Sequence, residues 1–269
     1  MFAVYATHAD PNNPLAALKI GERPEPNVPE GWVRVKISHA SLNRHDLFTL
    51  RGITAHPEGI TYPMILGNDA AGALDDATPV VIYPMMGSAD WRGDETLDPA
   101  WHIPSEFISG TFADYAVVPK RNAMPLPDGL SPLHASVLGT AWLTAYRALF
   151  TKSGLRAGEI VLIQGATGGM ATALIQLGRA AGFEVWATSR TGEGRAQAEA
   201  LGAHRSFLSD EPLPWKVPAV IDNIGSASWA HSMSSLARGG TLVITGGTTG
   251  FEVSLSLLPV LADQLTITG

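Results

Sequence analysis

The chain has no cysteine among its 269 residues. This absence excludes disulfide bonds, thiolate nucleophiles and every zinc site that uses a cysteine ligand. Histidine and carboxylate side chains remain available as metal ligands, and His39, His45 and Asp46 are the nearest candidates in the sequence. Their spacing matches no recognised ligand pattern, so we interpret the histidines as solvent-facing or hydrogen-bonded and expect no bound metal.

Long apolar runs and a strong positive charge are also missing. No apolar stretch approaches the roughly 18 residues that a membrane-spanning helix needs, and the N-terminus lacks the basic and apolar regions of a signal peptide. The net charge of -7 and the lack of a basic stripe with interleaved aromatic residues argue against nucleic acid as a partner. We therefore expect a cytoplasmic globular protein that binds neither membrane nor nucleic acid.

Residues 159–190 contain the most specific pattern in the chain. Residues 159–164 predict a buried strand, residues 170–181 have the apolar spacing of a helix, and residues 184–188 predict a second strand. Between the first strand and the helix lies a turn of small residues that leads to the helix N-terminus: Gly165, Ala166, Thr167, Gly168, Gly169 and Met170. Small residues let backbone amides approach a pyrophosphate, and the helix dipole favours its negative charge. The pattern predicts the phosphate-binding part of a dinucleotide site.

The glycine fingerprint of this turn is imperfect. With Gly168 at the central position, the first position falls on Ala166 and the third on Ala171. Alanine is accepted at the third position, whereas alanine at the first moves the tight turn to Gly165. The alternative is an ordinary strand-to-helix turn without a ligand, but the flanking strands and helix favour a nucleotide site.

The end of the second strand predicts which cofactor is preferred. NAD-binding folds place an Asp or Glu about 20 residues beyond the glycines, but here Ser189 and Arg190 end the strand and no carboxylate precedes Glu193. A hydroxyl and a guanidinium can hydrogen-bond a 2′-phosphate, whereas a carboxylate would repel it. We therefore expect NADPH to be bound by Ser189 and Arg190, assisted by Arg195. The alternative is that each arginine is a solvated surface residue.

The pattern of predicted elements changes near residues 125–132. Residues 1–127 contain short alternating runs separated by Pro and Gly, which predict a mostly β domain. In residues 128–269, strands and helices alternate, which predicts a parallel doubly wound sheet. The polar stretch at residues 88–104 is expected to form a long surface loop.

The predicted elements are as follows. Strands are expected at residues 32–37, 80–83, 112–118, 159–164, 184–188, near 207, 217–222, 241–245 and 265–268. Helices are expected at residues 133–150, 170–181, 193–201 and 229–236.

Several segments resemble the medium-chain dehydrogenase/reductase superfamily, and within it the zinc-independent quinone oxidoreductases. The resembling segments span nearly the whole chain in the family's order: residues 41–46, 63–72, 110–119, 125–131, 141–146 and 220–225. The resemblance implies an α/β protein with an N-terminal GroES-like domain, mostly β, followed by a Rossmann domain that binds NADP.

The resemblance also implies a zinc-free enzyme. Zinc-dependent members carry a histidine where Asn68 stands and a cysteine within the segment that resembles residues 43–46. A zinc-free reductase places the nicotinamide hydride near an acceptor that is already electrophilic, such as a quinone or another α,β-unsaturated carbonyl. The implied substrate is therefore a small electrophilic molecule.

The resemblance assigns roles to residues of both domains. Asn43, Asp46 and Thr144 would lie around the nicotinamide ring, and Asn43 or Thr144 would orient the carboxamide or the acceptor oxygen. Asp46 has the alternative role of capping a helix that begins near Leu47. Tyr62 is either a proton donor or a core tyrosine whose hydroxyl is satisfied, and the second role is the better supported one.

Further residues of both domains have expected roles. In the Rossmann domain, the expected cofactor contacts extend to Asn223, Thr245 and Gly246. In the β domain, Gly67, Asp69 and Gly72 are expected to serve a turn and interdomain packing.

The end of the chain departs from the family pattern. Family members continue beyond the segment that resembles residues 265–269, through elements that complete the first domain. We expect either a truncated chain or a first domain completed in an unusual way, with uncovered apolar surface and low stability. In the family, the strand that resembles residues 265–268 pairs with its copy in a second subunit, so we expect a homodimer.

The sequence leaves more than one function open. The prediction is NADPH-dependent hydride transfer to a quinone or another α,β-unsaturated carbonyl without zinc. A non-catalytic NADP-binding protein, or an inactive truncated family member, is the alternative from a different class. A second enzymatic alternative is an enoyl thioester reductase. Such relatives carry a catalytic tyrosine shortly after the glycine that matches Gly52, whereas Ile53 and Thr54 follow it here.

Overall fold

The computed structural model describes residues 1–55 and 58–269. The chain forms two compact units, Met1–Thr140 and Ala141–Gly269. The boundary predicted from the sequence lies earlier, after residue 127. A short helix at Pro132–Ala135 packs against strands of the first unit, and this packing extends that unit beyond the proline-rich stretch.

The first unit consists of antiparallel strands in two sheets. Its strands are β1 (Phe2–Ala6), β2 (Leu18–Glu22), β3 (Trp32–Ala40), β4 (Met64–Ile65), β5 (Ala70–Leu74), β6 (Pro79–Ile82), β7 (Tyr115–Pro119) and β8 (Ala123–Pro125). The sheets have the orders β2-β1-β4 and β7-β3-β5-β6-β8. The helices are α1 (Arg44–Arg51) and α2 (Pro132–Ala135), and 3₁₀ turns lie at Pro14–Ala17, Glu95–Leu97 and Lys120–Asn122. The predicted GroES-like β domain is confirmed.

Alternating side chains build the core of the five-stranded sheet. Val35 of β3 is fully buried and packs with Val80 and Ile82 of β6 and with Val118 of β7. Burying one such side chain contributes about 1.5 to 3 kcal/mol. The alternation of apolar and polar residues predicted from the sequence therefore places the apolar side chains of these strands in one layer.

The strand predicted at residues 112–118 is shorter than expected. β7 begins at Tyr115, whereas Phe112 donates its N–H to the Leu66 carbonyl and accepts from the N–H of Val4. Residues 112–114 therefore bond to β1 and to the segment after β4, and Asp114 also accepts the N–H of Ile37 in β3. The apolar sequence pattern continues from residue 112 to residue 118, so it does not show that the bonding partners differ between the two ends of this segment.

The second unit contains a six-stranded parallel sheet. Its strands are β9 (Ile160–Ile163), β10 (Glu184–Ser189), β11 (Arg205–Leu208), β12 (Val217–Asp222), β13 (Leu236–Ile244) and β14 (Thr266–Thr268). Its helices are α3 (Leu143–Arg147), α4 (Gly169–Ala180), α5 (Gly192–Leu201), α6 (Trp229–Ser235) and α7 (Leu257–Ala262). The strand order is β11-β10-β9-β12-β13-β14, so the predicted doubly wound Rossmann sheet is confirmed.

The helix α4 lies close against this sheet. A Cβ atom added at Gly178 would lie 2.9 Å from Val185 Cγ2 of β10. The buried side chains on the same helix include Ala171, Leu174 and Ile175, which belong to one core cluster with side chains of β9 and β10. This close packing fixes the position of the helix N-terminus relative to the end of β9.

The single helix predicted at residues 133–150 is wrong. The segment is divided into α2, a π-helical turn at Leu138–Trp142, α3 and a second π-helical turn at Ala148–Lys152. Thr140 donates its N–H to Asp69 Oδ2 at 2.9 Å. This bond takes a backbone donor away from the regular helical ladder, which the apolar spacing cannot reveal.

The expected loop at residues 88–104 is anchored by one carboxylate. Asp98 is buried and accepts hydrogen bonds from the N–H groups of Ser88 and Ala100, at 2.6 and 2.8 Å. Met86 and His102 form a bridge at its base, and the 3₁₀ turn at Glu95–Leu97 lies within it. Across the described residues, no helix is both long and apolar enough to cross a bilayer.

Candidate functional site

The turn after β9 has the shape expected of a phosphate-binding turn. Gly165 has a φ of +78°, so the tight turn lies there, as the sequence predicted. Gly168 is the N-cap of α4, and Gly169 is its first residue. Cβ atoms added at Gly168 and Gly169 would have no atom within 4 Å. The N-terminus of α4 is therefore open to a ligand and carries the positive end of the helix dipole.

This turn lies where the strand order reverses. β9 pairs with β10 on one side and with β12 on the other, and the chain crosses from β11 to β12 between them. In open α/β sheets, ligands bind beyond the carboxyl ends of the strands at this switch point.

The predicted cofactor residues of the sheet converge at this edge. A Cβ atom added at Gly165 would lie 3.7 Å from Asn223 Oδ1, and one added at Gly246 would lie 3.2 Å from the Asn223 carbonyl oxygen. Thr245 donates its N–H to the carbonyl of Asp222 at 2.8 Å. The ends of β9, β12 and β13 thus form one continuous rim that contains Asn223, Thr245 and Gly246.

The polar residues at and after the end of β10 differ in their exposure and in their hydrogen bonds. Ser189 is buried, and its Oγ accepts from the N–H of Thr191 at 3.3 Å. Arg190 is exposed and forms no hydrogen bond or ion pair with any described residue. Arg195 instead donates from Nε to Ser206 Oγ at 3.2 Å. Of the two arginines, Arg190 has the guanidinium that is available to a ligand.

Thr167 and Met170 complete the set predicted at the turn. Thr167 is exposed, and its Cγ2 would lie 2.8 Å from a Cβ added at Gly194 of α5. Met170 is half-buried and packs against the core beneath α4. The buried Ala166 donates its N–H to the Thr188 carbonyl of β10 at 2.7 Å.

A buried polar network beneath the turn escaped the sequence analysis. Gln164, Thr188, Ser232 and Asp222 are all buried and connected by hydrogen bonds. The sequence signal was limited to a polar residue, Gln164, at the end of an apolar strand. The partners lie far apart in the chain, so only the strand order brings them together.

The first unit contains a second cluster of polar residues around α1. Asn43 is the N-cap of α1, and Asp46 Oδ2 accepts its N–H at 2.7 Å. Asp46 Oδ1 accepts the N–H of Gly67 at 3.1 Å. Asp46 thus lies in the first turn of a helix that begins at Arg44, earlier than the predicted start, and its carboxylate is occupied by backbone groups.

Asp69 holds the Asn43 side chain. Its Oδ1 accepts from Asn43 Nδ2 at 2.5 Å and from Ser41 Oγ at 3.0 Å, while Oδ2 accepts the N–H of Thr140. Gly67 has a φ of +96° and provides the turn just before this residue.

Burial shifts the ionisation of this cluster. It raises the pKa of Asp46 to about 6, against the lowering effect of its two backbone hydrogen bonds. Burial also raises the pKa of Asp69. Tyr62 donates its hydroxyl to the Thr49 carbonyl at 2.5 Å, and burial raises its pKa.

The residues at the positions where the resemblance expects zinc ligands are not ones that zinc commonly takes. Asn68 stands where a histidine is expected, and its amide nitrogen donates to the Pro104 carbonyl at 2.7 Å. Residues 43–46, where a cysteine is expected, contain none. Neutral amides are poor substitutes for thiolate and imidazole in a structural or catalytic zinc site. Within residues 1–55 and 58–269, no group of three or more His, Cys, Asp or Glu side chains converges to hold a metal ion.

Thr144 is the one predicted nicotinamide contact in the second unit. It lies in α3 and is half-buried, whereas Asn43, Asp46 and Tyr62 belong to the first unit. Its hydroxyl has no hydrogen-bond partner among the described residues.

Known proteins match both units. Residues 29–128 match the family described as "Alcohol dehydrogenase GroES-like domain", and residues 169–269 match "Zinc-binding dehydrogenase". An alcohol dehydrogenase of Geobacillus stearothermophilus is 30% identical over 258 residues, which cover 86% of this chain and 74% of that protein. The chain belongs to the medium-chain dehydrogenase/reductase superfamily.

Other superfamily members differ in the reaction that their names describe. An acryloyl-coenzyme A reductase of Sulfurisphaera tokodaii is 26% identical, covering 95% of this chain and 81% of that protein. The quinone oxidoreductase of Thermus thermophilus, whose structure includes a complex with NADPH, is 28% identical with a TM-score of 0.78. That alignment covers 100% of this chain and 80% of the other. The chain spans about two thirds of the length of the mammalian quinone oxidoreductases it matches, 67% for the one from Lama guanicoe.

Proposed function

We propose that the chain is an NADPH-dependent oxidoreductase that reduces a quinone or another α,β-unsaturated carbonyl without zinc. The observation that carries this proposal is the edge of the parallel sheet, where an open helix N-terminus lies beside an exposed, unpaired Arg190. The similarity to a quinone oxidoreductase whose structure includes an NADPH complex supports the same cofactor.

The pyrophosphate would be held at the turn after β9. The N–H groups at Gly168, Gly169 and Met170 lie in the first turn of α4, where backbone donors have no partner within the helix. Because Gly168 and Gly169 have open space where a side chain would stand, a phosphate can reach these donors. Asn223, Thr245 and Gly246 would contact the nicotinamide half from the neighbouring strand ends.

The 2′-phosphate would be held at the end of β10. Arg190 supplies the charge, and the N-terminus of α5 supplies a favourable dipole. We propose supporting roles for Ser189, whose hydroxyl proton is free to donate, and for Arg195, which would have to exchange its bond to Ser206.

The chemistry of the proposed reaction follows from the cofactor and from the residues expected around its nicotinamide ring. Bound NADPH supplies a hydride from C4 of the nicotinamide. Asn43 donates from its amide nitrogen to Asp69 and takes part in the capping box of α1 through its side-chain oxygen. The second lone pair of that oxygen can accept from the nicotinamide carboxamide. Thr144 has a hydroxyl to offer to the acceptor oxygen. A conjugated acceptor needs little further polarisation, so the proposed reaction requires no zinc ion.

Two of the catalytic assignments receive less support. Asp46 already accepts two backbone hydrogen bonds, so we propose a capping role for it. The hydroxyl of Tyr62 donates to the Thr49 carbonyl, which favours its alternative role as a packed tyrosine over that of proton donor.

An enoyl thioester reductase is the second candidate function. The similarity to the acryloyl-coenzyme A reductase covers more of both chains than the similarity to the mammalian quinone oxidoreductases does. Both reactions deliver a hydride to a conjugated carbonyl, so the same residues serve either. Comparing kcat/KM for an ortho-quinone with that for acryloyl-coenzyme A distinguishes them.

We also propose that the chain forms a homodimer through its last elements. Leu257, Leu258 and Leu261 of α7 are 72%, 70% and 78% exposed, and β14 is the edge strand of the sheet. An apolar helix beside an unpaired strand edge is suited to bind its own copy.

The cofactor assignment is tested by Arg190→Ala. Loss of one charge-assisted contact is expected to weaken NADPH binding by about tenfold to a hundredfold. NADH lacks the 2′-phosphate, so its affinity should stay nearly unchanged. Fluorescence titration with each nucleotide gives both constants.

The matched control is Arg156→Ala, which removes an exposed arginine elsewhere in the second unit. It should bind both nucleotides as the unaltered chain does. An equal loss for NADPH and NADH in Arg190→Ala would refute the assignment to the 2′-phosphate.

A further inference from the structure

A one-way chain of buried hydrogen bonds crosses the sheet beneath the nucleotide turn. Thr188 Oγ1 donates to Gln164 Oε1 at 2.6 Å, and Gln164 Nε2 donates to Ser232 Oγ at 3.0 Å. Ser232 Oγ then donates to Asp222 Oδ2 at 2.6 Å. Each hydroxyl has a single proton, so the direction of this chain is fixed from Thr188 to the carboxylate.

The first end of the chain holds the turn itself. Thr188 Oγ1 accepts the N–H of Gly165 at 3.2 Å, and the Thr188 carbonyl accepts the N–H of Ala166. Because the Thr188 proton is directed to Gln164, its lone pair remains available to Gly165. The glutamine therefore sets the hydroxyl orientation that this turn requires.

The second end holds the loop that contains Asn223. Asp222 Oδ1 accepts the N–H groups of Ile224 and Gly225 at 2.8 and 3.2 Å. Ser228 Oγ also donates to this carboxylate. The chain thus joins the two loops that flank the switch point of the sheet.

An apolar residue of similar size would fill the position of Gln164 but would break the chain. Gln164 is 1% exposed, and Thr188 and Ser232 are fully buried. Each buried polar group that loses its partner is left without a hydrogen bond and destabilises the fold. Connected networks of this kind fix a unique local arrangement when all members are satisfied.

We propose that Gln164, acting through Thr188, is a positioning residue for the nucleotide. It orients the Gly165 turn and the Asn223 loop so that both present their groups to the same ligand. This inference rests on the proposed function, since it assumes that NADPH occupies the turn.

The test uses two substitutions of Thr188 that separate its hydroxyl from its shape. Thr188→Val keeps the shape and removes the hydroxyl, whereas Thr188→Ser keeps the hydroxyl and removes a methyl group. Loss of the hydroxyl is expected to weaken NADPH binding about tenfold, with faster amide exchange at Gly165. Thr188→Ser should retain most of the affinity, although it lowers the stability of the fold.

Phe183→Leu is the control for a general loss of stability. Phe183 is buried in the core just before β10, five residues before Thr188, and is none of the four residues of the chain. Urea unfolding measures how much each variant loses, and only Thr188→Val should lose affinity. If Thr188→Val does not fold, Gln164→Met removes the acceptor of the Thr188 proton at nearly constant side-chain size and should give the same result.

Several outcomes would overturn the inference. These are unaltered NADPH affinity and amide exchange in Thr188→Val, equal losses of affinity in the Val and Ser variants, or affinity losses that follow stability in Phe183→Leu. If the unaltered chain binds no NADPH, the proposed function fails. The exchange of the Gly165 amide then decides the positioning role by itself, since faster exchange in Thr188→Val supports it and unchanged exchange refutes it.

Discussion

Gly194 is a residue at which one added methyl group would clash with two neighbouring parts of the candidate site. A Cβ atom added there would overlap Ser189 Oγ and would lie 2.8 Å from Thr167 Cγ2. The α5 backbone therefore approaches both the end of β10 and the turn after β9. Only a glycine lets the three segments meet without displacing one of them.

We predict that Gly194→Ala weakens NADPH binding and lowers the melting temperature. Overpacking of this kind costs about 1 to 3 kcal/mol, and here it displaces groups proposed to bind the nucleotide. The control is Gly192→Ala in the same helix, whose added Cβ would have no atom within 4 Å. Similar affinities for the two variants would show that the contact at Gly194 has no bearing on the site.

At the same scale, the ionisation of Asp46 makes the free energy of unfolding depend on pH. Its pKa in the folded chain is about 6, above the value of about 3.9 for an unfolded aspartate. The folded state therefore binds the proton more tightly. The stabilising contribution of Asp46 is largest below pH 4 and is lost as the pH rises towards 6, by up to about 3 kcal/mol.

Asp46→Asn should remove this part of the pH dependence. The measurement is the free energy of unfolding by urea between pH 4 and 7, compared between the two proteins. Carbon NMR of the aspartate carboxyls provides an independent readout, with one titration near pH 6 that disappears in the variant. A titration of Asp46 below pH 4 would contradict the burial that raises its pKa.

At the scale of elements, the edge of the second unit carries an apolar helix. In α7, three leucines face solvent, and the neighbouring β14 has one unpaired side in the described chain. Leu258→Lys places a charge on that helix. We predict that it shifts a dimer towards monomer, with a dissociation constant raised at least about tenfold.

Sedimentation velocity over a range of protein concentrations measures this shift. Leu15→Lys is the control, because Leu15 is a similarly exposed leucine of the first unit. A monomeric unaltered chain at high micromolar concentration, or an unaffected Leu258→Lys, would rule out this interface.

The elements also differ in how well the sequence predicted them. The strands at residues 159–164, 184–188 and 217–222 were predicted nearly to the residue because they are buried on both faces and read as continuous apolar runs. The helix at residues 133–150 was not, because a tertiary bond from Thr140 to Asp69 interrupts it. Periodicity records which face is buried and contains no information on such a bond.

At the scale of the whole molecule, local sequence patterns predicted the tight turn after β9 but did not predict the hydrogen bonds that support it. Gly165 and the small residues after it form a contiguous motif that the sequence displays directly. Gln164 and Ser232 are far apart in the chain and meet only because β9 and β12 are neighbours in the sheet. A single sequence gives no indication of that pairing, so the chain of hydrogen bonds was missed.

The composition of the chain at the expected zinc-ligand positions also belongs to the scale of the whole molecule. Cysteine is missing throughout the chain, including residues 43–46, and Asn68 stands where the resemblance expects a zinc-ligating histidine. The match to "Zinc-binding dehydrogenase" over residues 169–269 names a family and concerns the nucleotide-binding unit. Catalysis by this chain is therefore expected to withstand removal of metal ions.

The most direct measurement is a titration of the EDTA-treated chain with NADPH and with NADH, followed by addition of an ortho-quinone. Nicotinamide fluorescence reports binding, and the loss of absorbance at the reduced nicotinamide band reports oxidation. We predict NADPH-selective binding and oxidation of NADPH once the quinone is present. Equal affinity for the two nucleotides, or tight binding without any oxidation by the quinone or by acryloyl-coenzyme A, would contradict a zinc-free NADPH-dependent reductase.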